Sequence, residues 1–165
     1  MRGPRKIDGT LQVDPTNVRT IRCYMLGNGS AKDAVYIDFT TTTNGLYHAG
    51  ASDVTNEHKS TLAGVALEAW TCDADADATD DTEQIIKIQV LGPVTDVNVA
   101  SSVAIGDKLV ATAVAGRLDD TTTTIPSTIN EANIEAMLTY TVVGIAYSVE
   151  ASNKANVYLL NPLGL

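Results

Sequence analysis

The stretch LAGVALEA at 62–69 returns eighty residues later as VVGIAYSVEA at 142–151. Gly64 and Gly144 each head the same order of residues: glycine, a β-branched residue, alanine, then a bulky apolar side chain. Glu68-Ala69 and Glu150-Ala151 close the two copies. A short apolar run of this kind reads as a strand, and its return asks the chain to build that strand twice. Each copy is followed by a second strand-like run, QIIKIQVLGPV after an acidic insertion and NKANVYLLNPL after a short turn. The two units, 62–93 and 142–163, therefore read strand, turn, strand, with an exit at Pro93 or Pro162. Between them VASSVAIGDKLVATAVAGRL (99–118) turns at Gly106-Asp107 and carries a strand from Leu109 to a second turn at Ala115-Gly116. Two hairpins bracketing a strand–turn–strand can close into a small β-barrel, which removes the edges along which sheets aggregate. Gly64 and Gly144 then stand where a bulge or a close backbone approach is needed.

The remaining chain agrees with an all-β class. Thr and Val are plentiful, and alternation outweighs helical spacing. RTIRCYML (19–26) alternates and meets GNGS (27–30), a hairpin-type turn. AVYIDF (34–39) alternates again, with Val35, Ile37 and Phe39 assigned to one face. In QIIKIQVL (84–91) Ile86, Ile88 and Val90 face one way, and Ile85, Lys87 and Gln89 the other. KANVYLL (154–160) is its counterpart near the C-terminus. One short helix is predicted after Pro126, where TINE (128–131) has capping-box spacing and Ile134, Met137 and Leu138 follow at helical intervals. The chain thus divides into an extended arm over 1–18 and a β domain over 19–165.

Net charge is −9, unevenly spread. Residues 1–32 hold six basic side chains against Asp8 and Asp14, while the rest holds five basic and eighteen acidic ones. A basic arm on an acidic body suits docking against an acidic surface, and the body repels nucleic acid. Arg2, Arg5 and Lys6 are the arm's candidate contacts. No run is long enough to span a bilayer as a helix, and no apolar stretch follows the N-terminal basic residues as in a secretory signal. Cys23 and Cys72 read as two buried free thiols, a disulfide between them being the alternative. Sheet faces poor in charge need cover, which predicts self-association.

Motifs for catalysis are missing from the sequence. CDADADATDDTEQ (72–84) suggests a cation loop, but counting from Asp73 puts Ala78 where an EF-hand needs glycine and Gln84 where it needs glutamate. It reads as a solvated acidic hairpin tip, with no metal requirement. IEAML (134–138) after AIGDKL (104–109) suggests a biotin carrier, but Leu138 occupies the place of the attachment lysine. His48 and His58 lie in polar, turn-rich stretches that nothing forces together, and Glu68 and Glu150 sit at matched places of the repeat, as turn or rim residues. There is no nucleophile elbow, phosphate loop or dinucleotide fingerprint. No cofactor and no enzymatic activity are expected. Trp70, Tyr147 and Tyr158 lie near repeat edges, where they serve either the core or an interface.

The ordered set AGVALEA, IIKIQVLGPV, VAIGDKLVATAVAGRL, VVGIAYSVEA and VYLLNPLGL resembles the small capsid decoration, or cement, proteins of tailed bacteriophages. The resemblance covers residues 61–165, and the acidic insertion and the segment 119–138 exceed its pattern. It implies a β-barrel or β-tulip-like domain on the outside of a DNA-filled head, touching the major capsid protein and forming oligomers, often trimers, where capsomers meet. It also implies framework rather than catalytic roles for Gly64, Gly144, Gly106 and Asp107. A module displayed on the virion as a head spike or fibre base, binding carbohydrate or a cell surface through an aromatic groove, is the alternative.

Overall fold

A strand of fourteen residues, Ile85–Asn98, organises the molecule because it pairs with three others. The computed structural model describes residues 17–43, 45–53, 60–71, 85–100, 103–121 and 140–165. In chain order its strands are β1 (Arg19–Leu26), β2 (Asn28–Gly29), β3 (Ala34–Thr43), β4 (Leu46–Ala51), β5 (Leu62–Ala66), β6 (Trp70–Thr71), β7 (Ile85–Asn98), β8 (Lys108–Ala111), β9 (Leu118–Asp120), β10 (Gly144–Ala146) and β11 (Lys154–Leu160). Every regular element among the described residues is a strand, and the class is all-β. The helix expected after Pro126, the acidic insertion and the arm up to residue 16 lie outside the described residues.

The first half of β7 closes a ring. β1 runs antiparallel to β7 and parallel to β4, β4 pairs with β3, β3 with β5, and β5 again with β7. The alternating side chains of β1 and β7 send Cys23, Met25, Ile86, Ile88 and Val90 into this ring. The second half of β7 leaves it and pairs with β11, after which β10, β8 and β9 follow in order. The nine-stranded sheet as a whole is not closed; β9 is its last strand, and a single parallel bridge from Leu118 to Val99, with Ala100 N donating to Leu118 O at 2.7 Å, ties it back to the end of β7. Closure therefore differs from the sequence expectation. The ring uses one copy of the repeat together with β1, β3 and β4, while the second copy lies in the open extension.

Pro93 does not end β7 as its position suggested. Gly92 adopts φ +94°, a conformation open to glycine, and a Cβ there would overlap the carbonyl oxygen of Asn17. Pro93 offers no N–H to the ladder. The buried Gln89 carboxamide stitches the bend, donating from Nε2 to the carbonyls of Leu91 (3.1 Å) and Pro93 (2.9 Å). The strand can thus change partners without stopping. GNGS does not make a hairpin either: Asn28 and Gly29 form β2, which pairs with β6. The Trp70 ring occupies the space a side chain at Gly29 would fill, and its Nε1 donates to the Leu26 carbonyl at 3.2 Å.

Two cores result, and β5 serves both. Leu62 and Val65 pack with Val97, Leu109, Val157 and Leu159 under the extension, while Ala63 and Ala66 face the ring interior. All five residues of β5 are buried, as expected of a strand covered on both faces. A Cβ at Gly64 would overlap the carbonyl oxygen of Gln89, so β5 and β7 approach more closely than any other residue allows. The free end of the extension is held by its β8–β9 turn. Ala34 N donates to Gly116 O at 2.7 Å, and Gly116 N donates to Ser52 O at 2.8 Å. Nearby, Asn98 bridges Asp33 (2.5 Å) and Lys154, tying the loop before β3 to β7 and β11. Cys23 is a free thiol inside the ring.

Candidate functional site

The sequence-predicted residues do not converge. Gly64 lies between β5 and β7; Gly144 lies between β10 and β11, where a Cβ would stand 2.6 Å from Val157 Cγ1 and 2.8 Å from the Tyr158 carbonyl oxygen. Gly106 (φ +94°) and Asp107 form the turn before β8, and Asp107 Oδ2 accepts from Ala104 N at 2.7 Å. Trp70 is in the ring core at 2% exposure and takes no part in the surface. Tyr147 and Tyr158 are half-buried in the extension, and burial raises the Tyr147 phenol above its ordinary range. Glu150 accepts from Asn153 N at 2.5 Å as a turn residue, and Glu68 is exposed elsewhere. Arg2, Arg5, Lys6, His58 and Asp73–Glu83 lie outside the described residues. Among the described residues no three His, Cys, Asp or Glu gather as metal ligands.

Two surface features emerge instead. The first runs across β1, β7, β11 and β10. Arg22 and Lys87 are directly opposite on the outer face of the β1–β7 ladder, both exposed, with no acidic partner among the described residues. Like charges placed opposite one another cost stability. Further along, Arg19 stands opposite Leu91, which stands opposite Leu160. On the same side Ile145, Tyr158 and Pro93 form one cross-strand row, and Leu160 keeps 42% of its surface exposed. Basic side chains thus border an apolar strip on a chain whose net charge is −9.

The second feature is an aromatic cleft on β3 and β4. Asp38 pairs with His48, but the next pair is Thr42 with Tyr47, so Phe39, Thr40 and Thr41 bulge out of the ladder. The cause is local. Asp38 Oδ1 accepts from Thr40 N (2.8 Å) and Thr40 Oγ1 (2.6 Å), a turn that competes with strand pairing. The same bonds, Thr40's side chain first, hold the Asp38 carboxyl below its usual range. Alternation puts Phe39 on one face with Val35 and Ile37, but these two are buried while Phe39, the first residue of the bulge, is 42% exposed, in T-shaped contact with Tyr47, ring centres 5.2 Å apart. Beside it a cleft of about 320 Å³ is lined by Tyr36, Ile37, Asp38, Phe39, Thr40, Ser60 and Thr61. Tyr24 lies over His48 one strand away, and Thr43 Oγ1 is 2.8 Å from His48 Nε2. Four of the chain's eight aromatic side chains, Tyr24, Tyr36, Phe39 and Tyr47, therefore belong to this end of the ring. Alternation alone could not find them, because one bulge reverses the face.

No family model matches the chain, and no curated protein matches it. Among solved structures it is similar to the N-terminal base of the head fibre protein gp8.5 of bacteriophage phi29, at 14% sequence identity and a TM-score of 0.47, covering 88% of this chain and 96% of that one.

Proposed function

We propose that this chain is a non-enzymatic structural protein of a tailed-phage virion, docked on the outside of the expanded head as a decoration protein. The carrying observation is the basic row Arg22–Lys87 beside the apolar strip of Leu91, Pro93, Tyr158 and Leu160. Two like charges held opposite one another, with no acidic partner among the described residues, are a standing cost that an acidic partner surface removes. The apolar strip supplies area that water leaves on contact. The motif order from Gly64 to Leu165 supports the same reading through its resemblance to cement proteins. The partner is then the major capsid protein, with self-association into trimers where capsomers meet.

The mechanism is mass action. A protein that binds only the assembled, expanded shell stabilises that state by its binding free energy, and many copies bridging neighbouring capsomers add avidity. The test mixes the purified chain with expanded heads and with unexpanded precursors, then sediments both. Binding to expanded heads alone, weakened about tenfold or more by Lys87→Glu with Arg22→Glu, supports the reading. Equal binding to both head forms, or indifference to charge reversal, overturns it. A fibre base makes a similar contact without reinforcing the shell, so the heat resistance of decorated against bare heads separates the two roles.

A further inference from the structure

We propose that the cleft at the β3 bulge is a saccharide-binding site, with Phe39 as its stacking platform and Asp38 as its hydroxyl acceptor. This goes beyond a docking role and uses a different face of the ring.

The volume, about 320 Å³, lies at the lower end of the range of small-molecule sites. Phe39 is a large ring left open to solvent yet held in place, braced edge-on by Tyr47. Such a ring presents a π-face to the C–H bonds of a pyranose, whose hydrogens carry slight positive charge. The polar wall has the complementary chemistry. Thr40, Ser60 and Thr61 bring hydroxyls to the lining. Asp38 is fixed by two bonds to Oδ1 from Thr40, and the Thr41 hydroxyl and His48 add smaller favourable contacts to the same carboxylate. A rigid carboxylate oxygen beside an aromatic face suits paired hydroxyl donors. The bulge creates the arrangement, since unbroken alternation would place Phe39 on the face of the buried Val35 and Ile37.

Other ligand classes fit less well. Among the described residues the lining holds no Lys or Arg and one carboxylate, which disfavours phosphate and nucleic acid. A lipid chain would leave the hydroxyl and carboxylate wall without partners. A quaternary ammonium group is met by several rings around one cation, whereas among the described lining residues the rings are Tyr36 and Phe39, with Tyr47 as the brace.

The experiment uses the isolated full chain, fluorescently labelled, on an array of bacterial surface polysaccharides, followed by titration of the free oligosaccharide that binds. The expected result is binding that Phe39→Ala and Asp38→Asn each weaken about tenfold or more. Phe39→Leu keeps apolar bulk without the π-face and should lose nearly as much, which separates stacking from simple packing. Leu160→Ser, on the docking face, should bind as the parent does. Phe39 and Asp38 are surface residues, and an unchanged melting temperature verifies the fold of each variant. Silence across the array overturns the proposal, as does binding indifferent to Phe39→Ala and Asp38→Asn. Inhibition by free choline but not by free sugar overturns it in favour of an ammonium site. No head is present in this assay, so its outcome is independent of docking.

Discussion

β5 in the ring and β10 in the extension carry the same Gly-β-Ala order, and the molecule uses them differently. Each lets its glycine approach a neighbouring backbone, Gly64 toward the Gln89 carbonyl on β7 and Gly144 toward the Tyr158 carbonyl on β11. Beyond that they part. β5 is buried at all five positions because one core lies on each side of it. β10 buries Gly144 and Ala146 and leaves Ile145 half-exposed on the outer strip. The shared order therefore encodes a backbone approach, and the neighbours decide how much of each strand meets water.

The sharpest way to break this comparison is a side chain at each glycine. Gly64→Val must push two buried backbones apart, since the first obstacle is a carbonyl oxygen inside the ring wall. It should cost more than about 4 kcal/mol or prevent folding. At Gly144 the first obstacle is a movable Val157 methyl, with the Tyr158 carbonyl behind it. Gly144→Val should cost about 2–3 kcal/mol. Urea unfolding of both variants measures the difference, and equal losses would mean that the two sites are equivalent after all.

A second pair asks whether ring and extension melt together. Ile88→Ala hollows the ring core, and Leu109→Ala hollows the core under the extension. Each should cost about 2–4 kcal/mol. Because β5 and β7 contribute to both cores, one transition is expected, shifted by either variant. Trp70 fluorescence reports the ring, and far-ultraviolet circular dichroism reports all strands. If Leu109→Ala shifts the second signal and leaves the first behind, the extension unfolds on its own.

Much of the strand pattern was legible in the residues. RTIRCYML and KANVYLL coincide with β1 and β11, and the inward set Ile86, Ile88 and Val90 is as alternation requires. The ring itself was not legible. β1 lies parallel to β4 although GNGS looks like a hairpin, and only the long reach of β7 past Pro93 reveals how the repeats are separated. Register between distant strands is a tertiary property, so the Arg22–Lys87 opposition was hidden as well. The aromatic cleft escaped for a local reason: an Asp-x-Thr turn inside an alternating run flips one phenylalanine.

A smaller effect probes the link between β6 and β1. Trp70→Phe keeps most of the ring's bulk against Gly29 and removes the donor to the Leu26 carbonyl. The loss should be about 1 kcal/mol, the usual net worth of such a bond. A loss near that of Ile88→Ala would instead show that the indole's packing dominates.

The smallest predicted effect concerns charge, where ring and extension differ most plainly. Among the described residues, the buried charged side chains are Asp119 and Asp120, both on β9, the last strand of the sheet, beyond its one bridge at Leu118. Inward-pointing charge on an edge strand discourages pairing with another chain, at a cost in stability. Burial raises the Asp119 carboxyl above its ordinary value, a shift that the neighbouring charges of Asp120 and Asp107 reinforce and the bond from Asp120 N (2.9 Å) opposes. A carboxyl raised in the folded state binds its proton more readily there than in the unfolded chain. Its charge therefore weakens the fold at neutral pH, and the penalty fades as pH falls through the folded value toward the unfolded one. Asp119→Asn should melt at a higher temperature than the parent at pH 7, and the gap should narrow as pH falls toward the ordinary carboxyl value. Melting curves at pH 7, 5.5 and 4 follow the difference between the two proteins, which cancels carboxylates common to both. A variant less stable than its parent at pH 7 would mean that the Asp119 charge is held by a favourable contact, and that β9 is anchored rather than guarded.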